Sequence, residues 1–353
     1  MRAKRFFIGV LAGAVICLAA LAAVVCVQDP FFVLRGVDEG ETAVFDNERY
    51  EMAGLIRHQD YSGVVMGTSL VANYRASWFG EGTGETVLKI TFPDGWISEF
   101  DTALDLAYHT HGELEYVFFC LDPNILVRGE GERTVELPDY LYNENPLDDV
   151  KYLFNADTCR YVLEKWVEAG RGQAVSLDEA YTWDGDYVFS WGNALASYIR
   201  PEVSRTKLPD DAYAAAAEEN LDVICGWIED HPDTRFVIWF PPYSILYWDK
   251  MTREGTADAV LSAVESACQR LLGYETVSLH SFLDDYDVLE NLNYYTDHIH
   301  CSGELTYAVT QDVLAGRRQL TEETYLRQLE QLREFVAGYD YEWLFPQPEQ
   351  GNG

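Results

Sequence analysis

The stretch VVMGTS, residues 64–69, decides how the rest of the chain is read. Its three apolar residues predict a buried strand, the glycine and threonine end that strand, and Ser69 follows just beyond the tip. The carboxyl end of a parallel strand is where α/β proteins bind their ligands. Ser69 is therefore the candidate nucleophile, although a serine at a strand-to-helix junction is also a common helix N-cap.

A second stretch, DHIH at residues 297–300, supplies the groups that a serine nucleophile needs. Asp297 precedes His300 by three residues, so one short turn can carry a base and the carboxylate that orients it. His298 is the rival base, and a plain polar loop is the alternative. The same residues with His109 and His111 offer the ligand types of a metal site, but the favoured interpretation has no metal.

Apolar segments alternate with amphipathic helices along the chain. The predicted strands are 62–66, 86–92, 115–121, 235–240 and 275–279, and the predicted helices include 70–79, 149–169 and 210–230. This alternation predicts a three-layer α/β/α fold around a central, mostly parallel five-stranded sheet. Ser69 and His300 both follow strands, so we expect them at the same edge of the sheet.

Three groups at that edge are candidates for an oxyanion hole. Ser69 opens a turn whose N–H groups are unpaired, Gly95 follows the second strand, and Asn124 follows the third. An ordinary turn glycine and a polar turn are the alternatives for the last two. An ionised Asp122 can only accept hydrogen bonds, so it cannot serve as a donor to an oxyanion.

A proline-rich turn closes the fourth strand at the same edge. Pro241, Pro242 and Tyr243 are expected to form a rigid wall of the site, and Ser244 is a weak alternative nucleophile.

The N-terminus predicts a membrane anchor. Basic residues precede an uncharged apolar run at 6–27, which would span roughly 33 Å as a helix, with the N-terminus in the cytoplasm. A cleaved signal with a small-residue site at 20–22 is the alternative. We expect a cytoplasmic basic tail at 1–5, a transmembrane anchor at 6–27, a tether at 28–60, an extracytoplasmic domain at 61–345 with an insertion at about 130–210, and a tail at 346–353.

Charge and cysteine usage exclude several classes. The 353 residues carry 59 acids against 25 bases, a formal charge of −34, which argues against nucleic-acid binding. The seven cysteines show no CxxC spacing, and those outside the span are expected to be mostly buried free thiols rather than a disulfide framework.

These motifs, in this order, resemble the SGNH/GDSL hydrolase family. Residues 65–69 resemble its first block, Gly95 its second and residues 297–300 its last. The third block normally has an asparagine after a glycine, whereas this chain has LDPN at 121–124, which displaces Asn124 from the family position.

The wider pattern is similar to membrane-anchored SGNH-like proteins of Gram-positive bacteria, and distantly to DltD-type and alginate-acetylation-type proteins. The similarity extends over about residues 45–310 and includes 49–50, 67–70, 138–145, 152–155 and 240–244. It implies an SGNH-like domain facing outward, with Ser69 as nucleophile, His300 as base, Asp297 as its orienter, and the amides of Ser69 and Gly95 as oxyanion donors.

The predicted function is an extracytoplasmic serine esterase or O-acyltransferase that acts on cell-envelope polysaccharide or its acyl groups. The expected partners are an acylated glycan or cell-wall polymer, the membrane, and a membrane-bound O-acyltransferase, with no cofactor and no nucleic acid. The alternatives are an inactive SGNH-like protein that binds a glycan or a membrane acyltransferase, and a metal-dependent hydrolase.

Overall fold

The computed structural model describes residues 2–38, 42–143, 145, 147–170 and 174–345. The predicted tail at 346–353 lies outside this part of the chain. Contacts divide the chain into two compact units. The first comprises Met1–Asp60, Thr102–Gly112 and Val135–Tyr181, and the second comprises Tyr61–Asp101, Glu113–Thr134 and Thr182–Gly353.

The second unit contains a five-stranded sheet, as the alternating pattern predicted. Its strands are β1 (Gly63–Gly67), β2 (Val87–Thr91), β3 (Tyr116–Cys120), β4 (Arg235–Phe240) and β5 (Val277–Ser281). They lie in the order β2-β1-β3-β4-β5, and every neighbouring pair is parallel. All five residues of β1 are buried, as expected of a parallel strand covered on both faces. The predicted α/β fold is confirmed.

Helices make up most of the remaining regular structure. They are α1 (Arg2–Gln28), α2 (Glu48–His58), α3 (Ala76–Thr83), α4 (Ile97–His111), α5 (Pro123–Leu126), α6 (Asp139–Tyr142), α7 (Val150–Phe154), α8 (Ala156–Gly170), α9 (Trp191–Ser197), α10 (Ala214–Asp230), α11 (Ile245–Glu254), α12 (Ala257–Leu271), α13 (Tyr286–Glu290), α14 (Gly303–Leu314) and α15 (Tyr325–Gly338).

The helix predicted at 70–79 does not form as one piece. A 3-10 turn at Ser69–Val71 follows β1, and α3 begins only at Ala76. The buried Lys89 ammonium donates to the carbonyls of Ala72 and Tyr74, at 2.9 and 2.8 Å. These bonds occupy backbone acceptors that a continuous helix would use, so the segment stays irregular.

The helix predicted at 149–169 is likewise divided, into α7 and α8. Asn155 between them is extended, and its side-chain oxygen accepts from the Asp157 amide at 2.7 Å. An asparagine that caps the following helix in this way ends the preceding one, because the two roles need different backbone angles.

The first unit contains α1, whose segment Ala3–Gln28 is long and apolar enough to cross a membrane, a property that a signal sequence shares. The tether predicted at 28–60 is wrong in part, because α2 lies within it and buries residues 51–56. The fully buried Glu51 carboxylate accepts from the Tyr181 hydroxyl at 2.6 Å and forms an ion pair with Lys165. The charge of this segment thus belongs partly to a buried network, not to a solvated linker.

All seven cysteines are free. Cys120, Cys225, Cys268 and Cys301 are buried, so the predicted burial of most thiols outside the apolar span is confirmed.

Candidate active site

The structure brings Ser69, His300 and Asp297 into one hydrogen-bonded row. The Ser69 Oγ lies 2.8 Å from His300 Nε2, and His300 Nδ1 lies 2.7 Å from Asp297 Oδ2. All three side chains are half-buried, so they are accessible while partly shielded from water. This is the spacing at which a hydroxyl, a base and the group that orients the base act together.

The Asp297 carboxylate is held by the turn that it begins. Its Oδ1 accepts from the backbone N–H groups of Ile299 and His300, both at 2.8 Å, while Oδ2 faces the imidazole. Burial by itself would raise the pKa of the Asp297 carboxyl. The hydrogen bond and charge of the His300 ring, together with the two backbone N–H groups, outweigh burial, so the pKa is lowered. Asp297 is therefore ionised at neutral pH and keeps the proton of His300 on Nδ1.

The nucleophile is positioned by the tight turn after β1. A Cβ on Gly67 would lie 2.5 Å from Val71 Cγ2 and 3.1 Å from Cys120 Cβ, so only glycine allows this close approach. Ser69 is the first residue of the 3-10 turn, and the Thr68 side chain caps that turn by accepting from the Leu70 N–H.

A buried polar network holds Thr68, the residue that precedes Ser69 in this turn. The Thr68 hydroxyl donates to Asp122 Oδ2 at 3.2 Å, and Tyr243 donates its hydroxyl to Asp122 Oδ1. Burial raises the pKa of Asp122, although hydrogen bonds from Tyr243, Asn124 and Thr68 and the charge of Arg128 act to lower it. Asp122 thus acts on the turn that carries the nucleophile through Thr68.

Gly95 and Asn124 both donate to acceptors within the protein. The Gly95 N–H donates to the Phe92 carbonyl at 2.9 Å, which closes the turn after β2. The Asn124 side-chain amide donates to the Tyr243 hydroxyl at 2.9 Å, and its N–H donates to Asp122. The oxyanion roles of both residues stay predictions, and in this structure the Gly95 N–H and one side-chain N–H of Asn124 have protein acceptors.

The proline-rich turn expected to form a rigid wall of the site is buried. Pro241, Pro242 and Tyr243 are all buried, and the Pro242 carbonyl accepts from the Tyr295 hydroxyl at 3.1 Å. The buried Ser244 donates its hydroxyl to the His298 carbonyl at 2.8 Å, which makes it unsuited to be a nucleophile.

The rival base His298 is not the residue that contacts Ser69. Burial lowers its pKa to about 4, and the neighbouring Lys250 and His300 add to that effect while Asp297 opposes it. A neutral, half-buried imidazole at this position is compatible with packing.

Two residues beside the base were missed by the sequence analysis. The Trp183 ring meets His300 edge-on, with centroids 5.2 Å apart and an interplanar angle of 89°. The buried Asn73 holds this segment by accepting from the Trp183 amide at 3.1 Å and donating to the Cys301 carbonyl at 3.0 Å. Trp183 lies in a turn-rich stretch without periodicity, so no local signal pointed to it.

Within the described part of the chain, no group of three or more histidine, cysteine, aspartate or glutamate side chains is arranged to hold a metal ion.

No protein-family model and no curated protein matches the chain. Among solved structures, a Streptococcus pneumoniae protein provisionally named as a platelet activating factor is similar, with 13% identity and a TM-score of 0.41. The alignment covers 76% of this chain and 91% of that chain. At this identity and TM-score the similarity carries no information on the activity of this chain.

Proposed function

We propose that the chain is a membrane-anchored, extracytoplasmic serine esterase or O-acyltransferase of the SGNH/GDSL-like type. The observation that carries this proposal is the row from Ser69 Oγ to His300 Nε2 at 2.8 Å and from His300 Nδ1 to Asp297 Oδ2 at 2.7 Å. A serine hydroxyl is a weak nucleophile until an adjacent base can take its proton. The hydrogen bonds on Asp297 leave that base in the tautomer that the reaction needs.

In the proposed reaction, Ser69 Oγ attacks the carbonyl carbon of an ester while its proton passes to His300 Nε2. The tetrahedral intermediate collapses, the alcohol leaves with the proton from His300, and an acyl-serine remains. Water or a sugar hydroxyl then attacks the acyl carbon and gives its proton to His300, which passes a proton to Ser69 Oγ as the acyl–serine bond breaks. Asp297 stays ionised throughout and stabilises the imidazolium.

The choice between water and a sugar hydroxyl depends on shielding and on the supply of acyl groups. The Trp183 ring covers one side of the base, which disfavours water near the acyl-enzyme. An anchor in the membrane would bring the domain close to a membrane-bound O-acyltransferase as donor. We therefore favour transfer to a cell-envelope polysaccharide, with an acylated glycan or cell-wall polymer as the other partner.

The test is covalent labelling of the full chain in detergent with a fluorophosphonate probe, followed by peptide mapping. We expect modification of Ser69, its loss in Ser69→Ala and strong reduction in His300→Ala. Ser244→Ala is the matched control, because that buried hydroxyl is bound to a carbonyl, and it should label like the wild type. Undiminished labelling of Ser69→Ala, or no labelling of folded wild-type protein, would refute the proposal.

A second candidate is a non-catalytic protein that binds a glycan or a membrane acyltransferase. The observation that favours it is that the Gly95 N–H and one side-chain N–H of Asn124 donate to protein acceptors. Catalysis would then need these groups to rearrange around substrate or to be replaced. Undiminished polymer acylation in cells that carry only the Ser69→Ala protein would favour this binding role.

A further inference from the structure

The helix α8, in the first unit, exposes an apolar face. Leu163, Trp166 and Val167 lie at helical spacing on one side and are 63%, 69% and 47% exposed. Large apolar side chains grouped in this way mark a surface that contacts something other than water.

The opposite and adjacent faces of α8 have other roles. Thr158 and Val162 are buried, whereas the acidic and basic residues at 157, 160 and 164 form an exposed charged stripe. The helix therefore has an inward face, a charged face and an apolar face. A helix with this division is typical of one that lies in a membrane–water interface, with its charged side toward water.

The position of α8 along the membrane normal follows from α1. In the first unit α1 contacts both α7 and α8, and Val25, in the last turns of α1, is fully buried. Val25 lies about 3 Å along the axis from Val27, the last apolar residue of the candidate span. Elements that touch α1 lie close to the level at which its apolar surface ends.

The residues that directly follow α1 are held by contacts to α7 and α8. The Asp29 carboxylate accepts from the Tyr152 hydroxyl of α7 at 2.8 Å and from the Val33 amide at 3.0 Å. The Phe31 ring packs against Tyr152 and Tyr161, with centroids 6.1 and 5.0 Å away. These contacts fasten α7 and α8 to the end of α1.

We propose, resting on the membrane anchor of the proposed function, that Leu163, Trp166 and Val167 insert into the headgroup region of the bilayer that α1 would cross. The occupant of this face is thus lipid, held by apolar contact rather than by charge. The charged stripe is mixed in sign, and Lys165 is paired with the buried Glu51, so α8 offers no basic surface to anionic lipids. An aromatic ring at this depth fits the preference of tryptophan for the interface.

The test uses the full chain reconstituted in phosphatidylcholine nanodiscs, one chain per disc, in a background with Cys17, Cys26 and Cys159 replaced by alanine. Leu163→Cys and Trp166→Cys carry an environment-sensitive fluorophore, and Glu164→Cys is the matched control on the charged stripe. Nitroxide-labelled lipids are expected to quench the first two labels at least twofold more than the third. Circular dichroism checks that each variant keeps its helix content.

Equal quenching at the three positions, or none at Leu163 and Trp166, would overturn the proposal. Blue-shifted emission without quenching would also overturn it, because the face would then be covered by protein. The contrast is expected with or without anionic lipid, and a contrast that requires anionic lipid would contradict insertion by apolar contact.

Discussion

Asp297→Asn is the substitution that most directly tests the role of the triad. Three N–H groups converge on the native carboxylate, two from the backbone at 2.8 Å and one from the His300 ring at 2.7 Å. An asparagine offers one acceptor oxygen and one NH2 donor. If the asparagine oxygen faced the His300 ring, its NH2 would point at the backbone N–H groups of Ile299 and His300. Each of these donors left without an acceptor would cost about 1–3 kcal/mol.

The favoured orientation therefore keeps the amide oxygen on the backbone and turns the NH2 toward His300 Nδ1. That nitrogen must then accept, so the imidazole proton moves to Nε2, where it points at Ser69 and blocks proton uptake. The corresponding change in a serine protease triad lowers kcat by roughly 10⁴. We expect a loss of the same order here, about 5.5 kcal/mol of transition-state stabilisation.

The assay is hydrolysis of a p-nitrophenyl ester, with the rate of fluorophosphonate labelling as a second readout. Asp340→Asn is the matched control, since Asp340 also accepts from a backbone amide, that of Glu342 at 3.2 Å, but does not contact the triad. An Asp297→Asn protein that keeps its fold and retains activity within tenfold of wild type would refute the assigned role of Asp297.

Three further substitutions test the surroundings of the site and the first unit. Gly67→Ala puts a Cβ 2.5 Å from Val71 and should cost about 1–3 kcal/mol in unfolding free energy and most of the activity. Gly226→Ala is the control: it lies within α10, its added Cβ meets nothing within 4 Å apart from neighbouring backbone of that helix, and it should stabilise by about 0.5–1 kcal/mol. Trp183→Ala removes the ring edge beside the base and should lower kcat/KM about tenfold. Burial raises the pKa of Asp46 to about 6, with Lys165 opposing and Glu51 adding to the shift. Asp46→Asn should therefore raise the thermal midpoint at pH 7.5, and because solvent screens this partly exposed carboxyl, the gain in unfolding free energy should be only about 1–2 kcal/mol.

The sign of the last prediction follows from linkage. Asp46 binds its proton more tightly in the folded protein, so its ionisation costs stability above pH 6, and the benefit of asparagine should fade as the pH falls from about 6 toward 4. A benefit that instead grows on acidification would contradict this account. A Gly67→Ala protein with wild-type activity, or a Trp183→Ala protein with unchanged kcat/KM, would contradict the packing described at the site.

The sheet was predictable because its strands are short apolar runs with clear ends. All five strands lie within two residues of their predicted bounds. The edge at which Ser69 and His300 meet followed from parallel topology, since every strand ends on the same side. What local pattern could not show was the interruption after Ser69, because Lys89 in a neighbouring strand supplies the hydrogen bonds that break the helix.

The partners of the polar groups around the serine were not predictable either. Gly95 and Asn124 stand at the right edge, but their donors are taken by Phe92 and Tyr243. Trp183 lies in a stretch with no periodicity, and a hydrogen bond from its backbone N–H to the Asn73 side chain holds it beside the base. The Gly95 bond is a local turn, but the contacts of Asn124 and Trp183 join residues more than 100 positions apart and leave no trace in local spacing.

The sequence by itself determined the α/β class, the apolar N-terminal segment and the spacing that lets Asp297 orient His300, because each depends on residues close together in the chain. Only the tertiary structure decided that Glu51, in the proposed tether, is buried in a helix. It also decided that the Gly95 N–H donates to a protein carbonyl, and that α7 and α8 contact α1. Burial and hydrogen-bond pairing depend on distant neighbours, and folding alone brings those neighbours together.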